Sequence, residues 1–346
     1  MRQHLNTLFV TLDGSYLLKE GEAVLVRFEQ TTRLRVPLHN LDGIVTFGWD
    51  IGCSPQLMAA CAQAGVTLSF CDPRGRFMAA VNGFAPGNVL LRRAQYRAGD
   101  DPAQTLAIAR HCVAAKIANC RRVLQRALRD HADEGSPRAA ALTTAANHLG
   151  HRAEAALAAT ELDSLRGVEG DAADTYFQAF NHLLTADEPT FRFTTRSRRP
   201  PLDPLNALLS FLYSLLAHDI RSACESVGLD AAVGFLHRDR PGRPSLALDL
   251  MEELRPVLAD RLALSLINRR QLTVKDFAVR ENGAVSLQDD ARKTVLVAWQ
   301  ERKQDELQHP FLGESTTLGL IPHLQARLLA RTLRGDLDAY PAFLWR

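Results

Sequence analysis

The feature that most limits the fold of this chain is a change of texture near residue 97. Before it, short runs of β-branched and aromatic residues alternate with turn dipeptides: residues 8–12 run into Asp13-Gly14, residues 16–18 into Glu20-Gly21, and runs at 23–26 and 33–36 follow. Runs of this length bounded by such turns predict strands paired as hairpins. Residues 43–47 and 66–70 predict two more strands, with a helix over 54–64 between them that has Ser54 as its cap and Pro55 at its first position. Asp72-Pro73-Arg74-Gly75 predicts a turn before a strand at 77–81. One continuous α/β sheet domain would place helices between most strands, and this pattern does not.

From about Asp101 the pattern becomes alanine, leucine and arginine at helical spacing, over 103–130 and again over 138–164. Alanine-rich faces such as 139–141 and 155–156 let helices approach closely, which is core packing. Pro200-Pro201 and Asp203-Pro204 interrupt one helix and start another, and residues 234–244 form a Gly/Pro-containing loop between helices. The expected fold class is therefore α+β, a small β-rich N-terminal domain over residues 1–97 and a larger, mostly α-helical domain over 98–346. A chain of 346 residues can bury such cores without staples.

Composition narrows the setting. The six cysteines, Cys53, Cys61, Cys71, Cys112, Cys120 and Cys224, show no C-x-x-C spacing, which argues against a zinc cage, a redox pair or a disulfide framework. The opening residues lack the apolar region of a signal peptide, and the strongest apolar stretch, 205–217, is too short to span a bilayer, so a cytoplasmic protein with no membrane association is expected. A formal charge of +2 does not by itself announce a nucleic-acid binder, because phosphate affinity comes from local clusters. One such cluster exists: residues 189–202 contain Arg192, Arg196, Arg198 and Arg199 and no acidic residue. A solvated basic loop is its ordinary explanation, and the cluster alone favours that over nucleic-acid binding.

Three separated segments carry polar residues that a helical core would not ordinarily hold. In the first, Glu169 stands between Gly167 and Gly170, expected at or near a helix start whose apolar face includes Tyr176, Phe177 and Phe180; a first-turn carboxylate favoured by the helix dipole is its ordinary explanation. In the second, Gly234-Phe235-Leu236-His237 runs into Arg238, Arg240 and Arg243, and a lone histidine after an apolar stretch is more often structural than a ligand. In the third, Leu246, Leu250 and Leu254 define a buried stripe, with Asp249 and Glu252 three apart beside it and Glu253 further round as an expected surface charge. Paired carboxylates near a histidine suit a divalent cation, although a solvated helix face explains them nearly as well. No serine or cysteine nucleophile with an ordered base is evident, and Ser245 reads as a helix N-cap.

Taken together and in this order, the segments resemble the CRISPR-associated integrase family Cas-one. Gly167-Val168-Glu169-Gly170 with Ala172-Ala173 and Tyr176-Phe177 resembles the family's first ligand segment. Arg198-Arg199-Pro200-Pro201 and the run from Asp203 to Ser210 resemble its entry into a central helix, and the His237 and Asp249 segments resemble its later ligand segments. Trp299-Gln300-Glu301-Arg302-Lys303 and His309-Pro310 fit its tail less specifically, and the opening, Leu5 to Thr11, is similar to members of the type I-C subtype. The resemblance implies an enzyme that inserts protospacer DNA into a CRISPR array by attack of a 3′-hydroxyl on a phosphodiester, and that also acts as an endonuclease. It implies Mg²⁺ or Mn²⁺ held by Glu169, His237 and a carboxylate of the Asp249/Glu252 pair. The family commonly has an Asp where this chain has Glu252; Glu252 is expected as the ligand, with Asp249 close by. Imidazole makes Mn²⁺ a good competitor for the site. Implied partners are prespacer and repeat DNA, a second copy of the chain joined through the β-rich region, and a small Cas-two protein bridging two such homodimers. Arg192, Arg196, Arg198, Arg199, Arg238, Arg240, Arg243 and Arg255 lie near the ligand segments and are candidates for the DNA backbone. A stand-alone nuclease for branched DNA and a non-catalytic DNA-binding scaffold are the alternatives.

Overall fold

The computed structural model describes residues 7–41, 43–73, 77–81, 89–131, 135–185, 189–192, 195–197 and 200–345. The chain divides into two compact units: Met1–Pro86 with Leu287–Asp305, and Gly87–Ser286 with Glu306–Arg346.

The first unit begins with β1 (Thr7–Val10), β2 (Tyr16–Glu20), β3 (Ala23–Phe28), β4 (Thr31–Pro37), β5 (Gly43–Phe47) and β6 (Gly52–Cys53), then α1 (Pro55–Ala64), β7 (Thr67–Cys71) and β8 (Phe77–Val81). They form two four-stranded sheets, ordered β1-β5-β7-β8 and β4-β3-β2-β6. The hairpins β2–β3 and β3–β4 form as expected, but β1 does not pair with β2. It pairs in parallel with β5, Thr7 opposite Gly43, because the chain changes sheets at Asp13-Gly14. Gly14 sits there at φ 77°, and the Asp13 carboxylate accepts the Asp50 amide at 2.8 Å, so the turn is tied to a distant loop. Helix α1 starts where the sequence predicts, with the Ser54 hydroxyl accepting the Leu57 amide, and ends at Gly65 at φ 68°. Its buried Leu57 and Cys61 join Leu17, Val24, Ile44 and Leu68 in the core.

The second unit is helical: α2 (Val89–Asp100), α3 (Pro102–His131), α4 (Pro137–Ala158), α5 (Leu162–Phe180), α6 (Pro204–Val227) and α7 (Ser245–Leu254), then a π-helical turn Arg255–Asp260, α8 (Arg261–Asn268) and a small ribbon of β9 (Phe277–Val279) and β10 (Val285–Leu287). The chain then returns to the first unit as α9 (Asp289–Lys303), whose Gln300 donates to the Thr7 carbonyl at 2.9 Å. It ends in the second unit with β11 (Glu306–Gln308), β12 (Ser315–Thr317) and α10 (Ile321–Leu333).

The boundary therefore falls at residue 86 rather than 97. Helix α2 already belongs to the helical unit because the buried Gln95 amide donates to the carbonyls of Asp230 and Val233 at 2.8 and 2.9 Å. The expected helix over 138–164 breaks after Ala158, where Ala159 takes an extended conformation. Helix α6 is capped by Asp203, which accepts the Asn206 amide at 2.7 Å, and Leu205, Leu208, Leu212 and Leu216 along it are fully buried. No helix among the described residues is long and apolar enough to cross a membrane.

Glu253 is not a surface charge: it has no exposed area. The segment at 340–345 folds back over α7, so the Tyr340 hydroxyl and the Phe343 amide both donate to the Glu253 carboxylate at 2.5 Å, and the Gln325 amide reaches it at 3.3 Å. Asn119 of α3 locks the same segment, donating to the Phe343 carbonyl at 2.9 Å and accepting the Trp345 amide at 2.8 Å. Burial, offset by these donors, pushes the Glu253 carboxyl up to about 7. Helical periodicity of α7 alone could not disclose this, because the partner arrives from the other end of the unit.

Candidate metal centre

Four elements of the helical unit meet at one point. Helix α3 contributes Lys116, which falls one turn from both Cys112 and Cys120 on a buried face. Helix α5 contributes Glu169. This residue lies mid-helix, since α5 begins after Glu161 rather than near Gly167. Gly167 and Gly170 are tolerated inside the helix because Leu165, Ala172, Tyr176, Ala179 and Phe180 pack as a buried stripe that holds it. The helix-dipole account of Glu169 therefore fails: the dipole acts in the first turn.

The third contribution is the loop carrying His237, built around Asp249 of α7. One Asp249 carboxylate oxygen accepts the amides of Phe235 and Leu236 at 2.5 and 3.0 Å; the other accepts the His237 amide at 3.0 Å and lies 2.6 Å from His237 Nδ1. Gly234 is what allows this approach. A Cβ there would stand 2.8 Å from Asp249 Oδ2 and from the Ser245 backbone. The loop is held from outside by Arg166 of α5, whose guanidinium donates to the Leu236 carbonyl at 2.7 and 3.1 Å and to Asp163 at 2.6 Å. Ser245 is not the cap of α7; Pro244 precedes the helix, and the Ser245 hydroxyl donates to the Arg238 carbonyl at 3.2 Å, closing the loop.

Because a carboxylate can only accept, Nδ1 is the ring nitrogen that carries a proton whenever His237 is neutral, and Nε2 then carries the lone pair. That nitrogen is 3.9 Å from Glu252 Oε1. Glu252, buried on α7, receives the Lys116 ammonium at 2.7 Å and the Arg255 guanidinium at 2.8 Å. Burial alone would raise its carboxyl; Arg255, Lys116 and His237 overcome that and hold it down at about 2. The same Lys116 ammonium donates to Glu169. The side chains of Glu169 and His237 keep 27% and 20% of their surface exposed while those of Glu252 and Asp249 keep 3% and 1%, so the point of convergence has a buried floor and an open rim.

Of the sequence-predicted ligands, the fold thus brings Glu169 and Glu252 onto one cationic centre with the His237 imidazole beside them. Asp249 is drawn off to the backbone and to Nδ1, with both oxygens engaged. Among the described residues no three His, Cys, Asp or Glu side chains stand together as a preformed cage. The place between the two carboxylates is taken by an ammonium. Two carboxylates that already share a cation, with an imidazole oriented by a carboxylate behind it, are nonetheless a donor set that fits Mg²⁺ or Mn²⁺.

Next to this point a small recess is lined by Lys116, Tyr176, Tyr213, Arg255 and Asp260 among others. The π-helical turn forms one wall and aims Arg255 at Glu252 and Asp260 at Tyr213, whose hydroxyl donates to it at 2.7 Å. Burial pushes the Asp260 carboxyl up to about 6.

The arginines expected on DNA separate into groups. Arg192, Arg238 and Arg240 are exposed, with Arg238 paired to Asp163 at 3.2 Å, and Arg243 is half-buried in the loop. Arg196 is spent inside the fold, donating to the Ser197 carbonyl at 2.6 Å and to Asn206 at 2.5 Å and lying over the Tyr213 ring at 5.3 Å. Arg255 is committed to Glu252 and also lies over Tyr213, at 5.0 Å. Arg198 and Arg199 lie outside the described residues.

A family model described as CRISPR associated protein Cas1 matches residues 8–301. The chain belongs to the Cas1 family. The resemblance carried by the Glu169, His237 and Asp249 segments holds at that level. A relative from Chlorobaculum tepidum, CRISPR-associated endonuclease Cas1 1, is 54% identical over 346 residues, covering 100% of each chain. Among solved structures, a casposase bound to integration product superposes with a TM-score of 0.83 at 23% identity, covering 99% of this chain and 94% of that one. A Cas6-RT-Cas1–Cas2 complex gives 0.81 at 24% identity, covering 98% of this chain and 36% of that one. At these identities the two structures speak for the fold, and the order of a β-rich unit before a helical one is the Cas1 architecture.

Lys116 and Arg166 are parts of the site that the sequence reading missed, as is the steric role of Gly234. A signal for Lys116 existed: a single charge placed between Cys112 and Cys120 on a mostly apolar helix face.

Proposed function

We propose that this Cas1 protein is a Mg²⁺- or Mn²⁺-dependent DNA integrase and endonuclease, with Glu169, His237 and Glu252 as metal ligands and Asp249 as the residue that orients His237. The observation that carries this reading is the convergence of two carboxylates from different helices on one positive charge, beside an imidazole whose Nδ1 is engaged by a carboxylate. When bound, the ion would polarise the scissile phosphodiester and stabilise charge on its oxygens. The protein's own part is placement. Asp249 and three backbone amides fix the ring of His237, Arg166 fixes the loop, and Arg255 keeps Glu252 ionised at the buried floor.

The exposed Arg192, Arg238 and Arg240 are proposed to contact DNA phosphates, with Arg243 at the loop's edge, so binding should weaken steeply with salt. Prespacer and repeat DNA and a Cas2 partner are proposed from the family. Two similarly folded structures, a casposase bound to integration product and a complex containing Cas2, support that reading. Homodimerisation through the β-rich unit and membership of the type I-C subtype, the latter from the residues Leu5 to Thr11, belong to the same proposal.

The test is product analysis. The protein is incubated with Mn²⁺, a labelled short duplex with recessed 3′ ends and a supercoiled plasmid carrying a repeat. Label joined to the plasmid, and lost in Glu169→Gln and Glu252→Gln, is the expected result. Cleavage without joining would leave the stand-alone nuclease, and joining that survives both substitutions would refute the centre.

A further inference from the structure

We infer that Lys116 is a resident counter-ion of the metal centre: its ammonium holds Glu169 and Glu252 in position in the metal-free protein and leaves them when the divalent ion enters. The inference rests on the ligand assignment just proposed and extends it to a residue that assignment does not contain.

The argument starts from cost. A lysine on a buried helix face loses the hydration of its ammonium, and a side chain such as Lys116, with 10% of its surface exposed, is tolerated only when the charge is matched. Here it is matched twice, by carboxylates from α5 and α7. The carboxylates have the converse difficulty. Glu252 lies on a buried floor and Glu169 faces the same point from the open rim, so without a cation between them two like charges would repel across the site.

Arg255 cannot fill this role alone. Its contacts are with Glu252, 2.8 and 3.1 Å from the two oxygens, and it is anchored over Tyr213. Among the described residues only Lys116 touches both carboxylates, so it is the group that an ion binding between them must displace. The lysine stem allows such a departure, because four rotatable carbons carry the ammonium and the side of the site at Glu169 is partly open. Lys116 is thus a positioning residue that holds the two carboxylates in place, and its departure is part of the cost of loading the ion.

This predicts that removing the ammonium strengthens metal binding while weakening the metal-free fold. Calorimetric titration of the full chain with Mn²⁺ compares wild type with Lys116→Met. A hydrogen bond to a buried charge is worth about tenfold or more in an equilibrium constant, so Lys116→Met should bind Mn²⁺ on the order of tenfold more tightly. Its melting temperature should be lower than wild type in EDTA and recover in saturating Mn²⁺. Lys116→Arg, which keeps the charge, should bind no more tightly than wild type. Should Lys116→Met fail to fold, a Mn²⁺-soaked crystal of the wild type decides: Lys116 Nζ should be out of hydrogen-bonding reach of Glu252. Equal or weaker Mn²⁺ affinity in Lys116→Met, or an ammonium still bonded to both carboxylates beside the ion, overturns the inference while the ligand assignment stands. Wild type that binds no Mn²⁺, or binds it as well after Glu252→Gln, overturns the assignment and the inference with it.

Discussion

Asp249→Asn separates a carboxylate that organises a loop from one that binds an ion. In the wild type each Asp249 oxygen accepts two donors: the Phe235 and Leu236 amides on one side, and the His237 amide and Nδ1 on the other. An asparagine keeps one oxygen and turns an NH₂ toward the other pair, whichever way it rotates. Two hydrogen bonds to a buried charge are lost, at roughly 1.5–3 kcal/mol each before relaxation. With some relaxation of the exposed loop end, a net loss of about 3 kcal/mol is expected, a fall of roughly 6–12 °C in the melting of a unit this size. Mn²⁺ affinity should drop by about 10- to 100-fold, the usual effect of removing a group that orients a metal-bound histidine. Unfolding in EDTA and Mn²⁺ titration measure the two quantities separately. A variant that melts like wild type in EDTA yet loses Mn²⁺ as completely as Glu252→Gln would show Asp249 to be a direct ligand and refute the role assigned to it.

Three further outcomes follow from the same loop and its surroundings. Gly234→Ala should cost about 1–3 kcal/mol of stability, because the new methyl meets the Asp249 carboxylate and the Ser245 backbone at 2.8 Å and one of them must move; thermal melting checks it, and an unshifted melting point contradicts the close approach. Arg166→Ala frees the Leu236 carbonyl, so Mn²⁺ affinity should weaken by about tenfold while the EDTA melting point falls little, an outcome calorimetry reads directly. Asp260→Asn addresses pH. Burial raises this carboxyl from 3.8 to about 6, so between those values the folded protein binds more protons than the unfolded chain, and stability is lost as pH rises through that window. The wild type should lose on the order of 3 kcal/mol across it relative to Asp260→Asn, seen as convergence or crossing of their melting curves against pH; parallel curves would refute the shift.

How far the sequence disclosed this site depended on how far each partner lay along the chain. The α5 and α7 segments were legible because apolar spacing at Leu246, Leu250 and Leu254 sets a helix face, and a face decides which of Asp249, Glu252 and Glu253 are neighbours. That logic failed for Glu253, whose partners Tyr340 and Phe343 come from a distant segment that helical periodicity does not see. It failed similarly at Asp13-Gly14: a turn dipeptide between two apolar runs reads as a hairpin, and only the parallel pairing of β1 with β5 reveals a change of sheet. Glu169 was assigned the right neighbourhood for the wrong local reason, since its flanking glycines suggested a helix start and buried contacts on both sides carried the helix through them. Lys116 was hidden by convention, one cation among the arginines of a long helix, until the fold placed two carboxylates on it.

The strap that covers Glu253 has a temporal consequence. The ribosome releases Glu253 ninety residues before Phe343, so on a growing chain the carboxylate has neither the Tyr340 hydroxyl nor the Phe343 amide to meet it. Throughout that interval α7 cannot bury Glu253 at the cost it has in the finished fold, and Glu252 next to it has no settled floor. The floor of the proposed metal centre is in this way completed only once the strap that carries Tyr340 and Phe343 has been made.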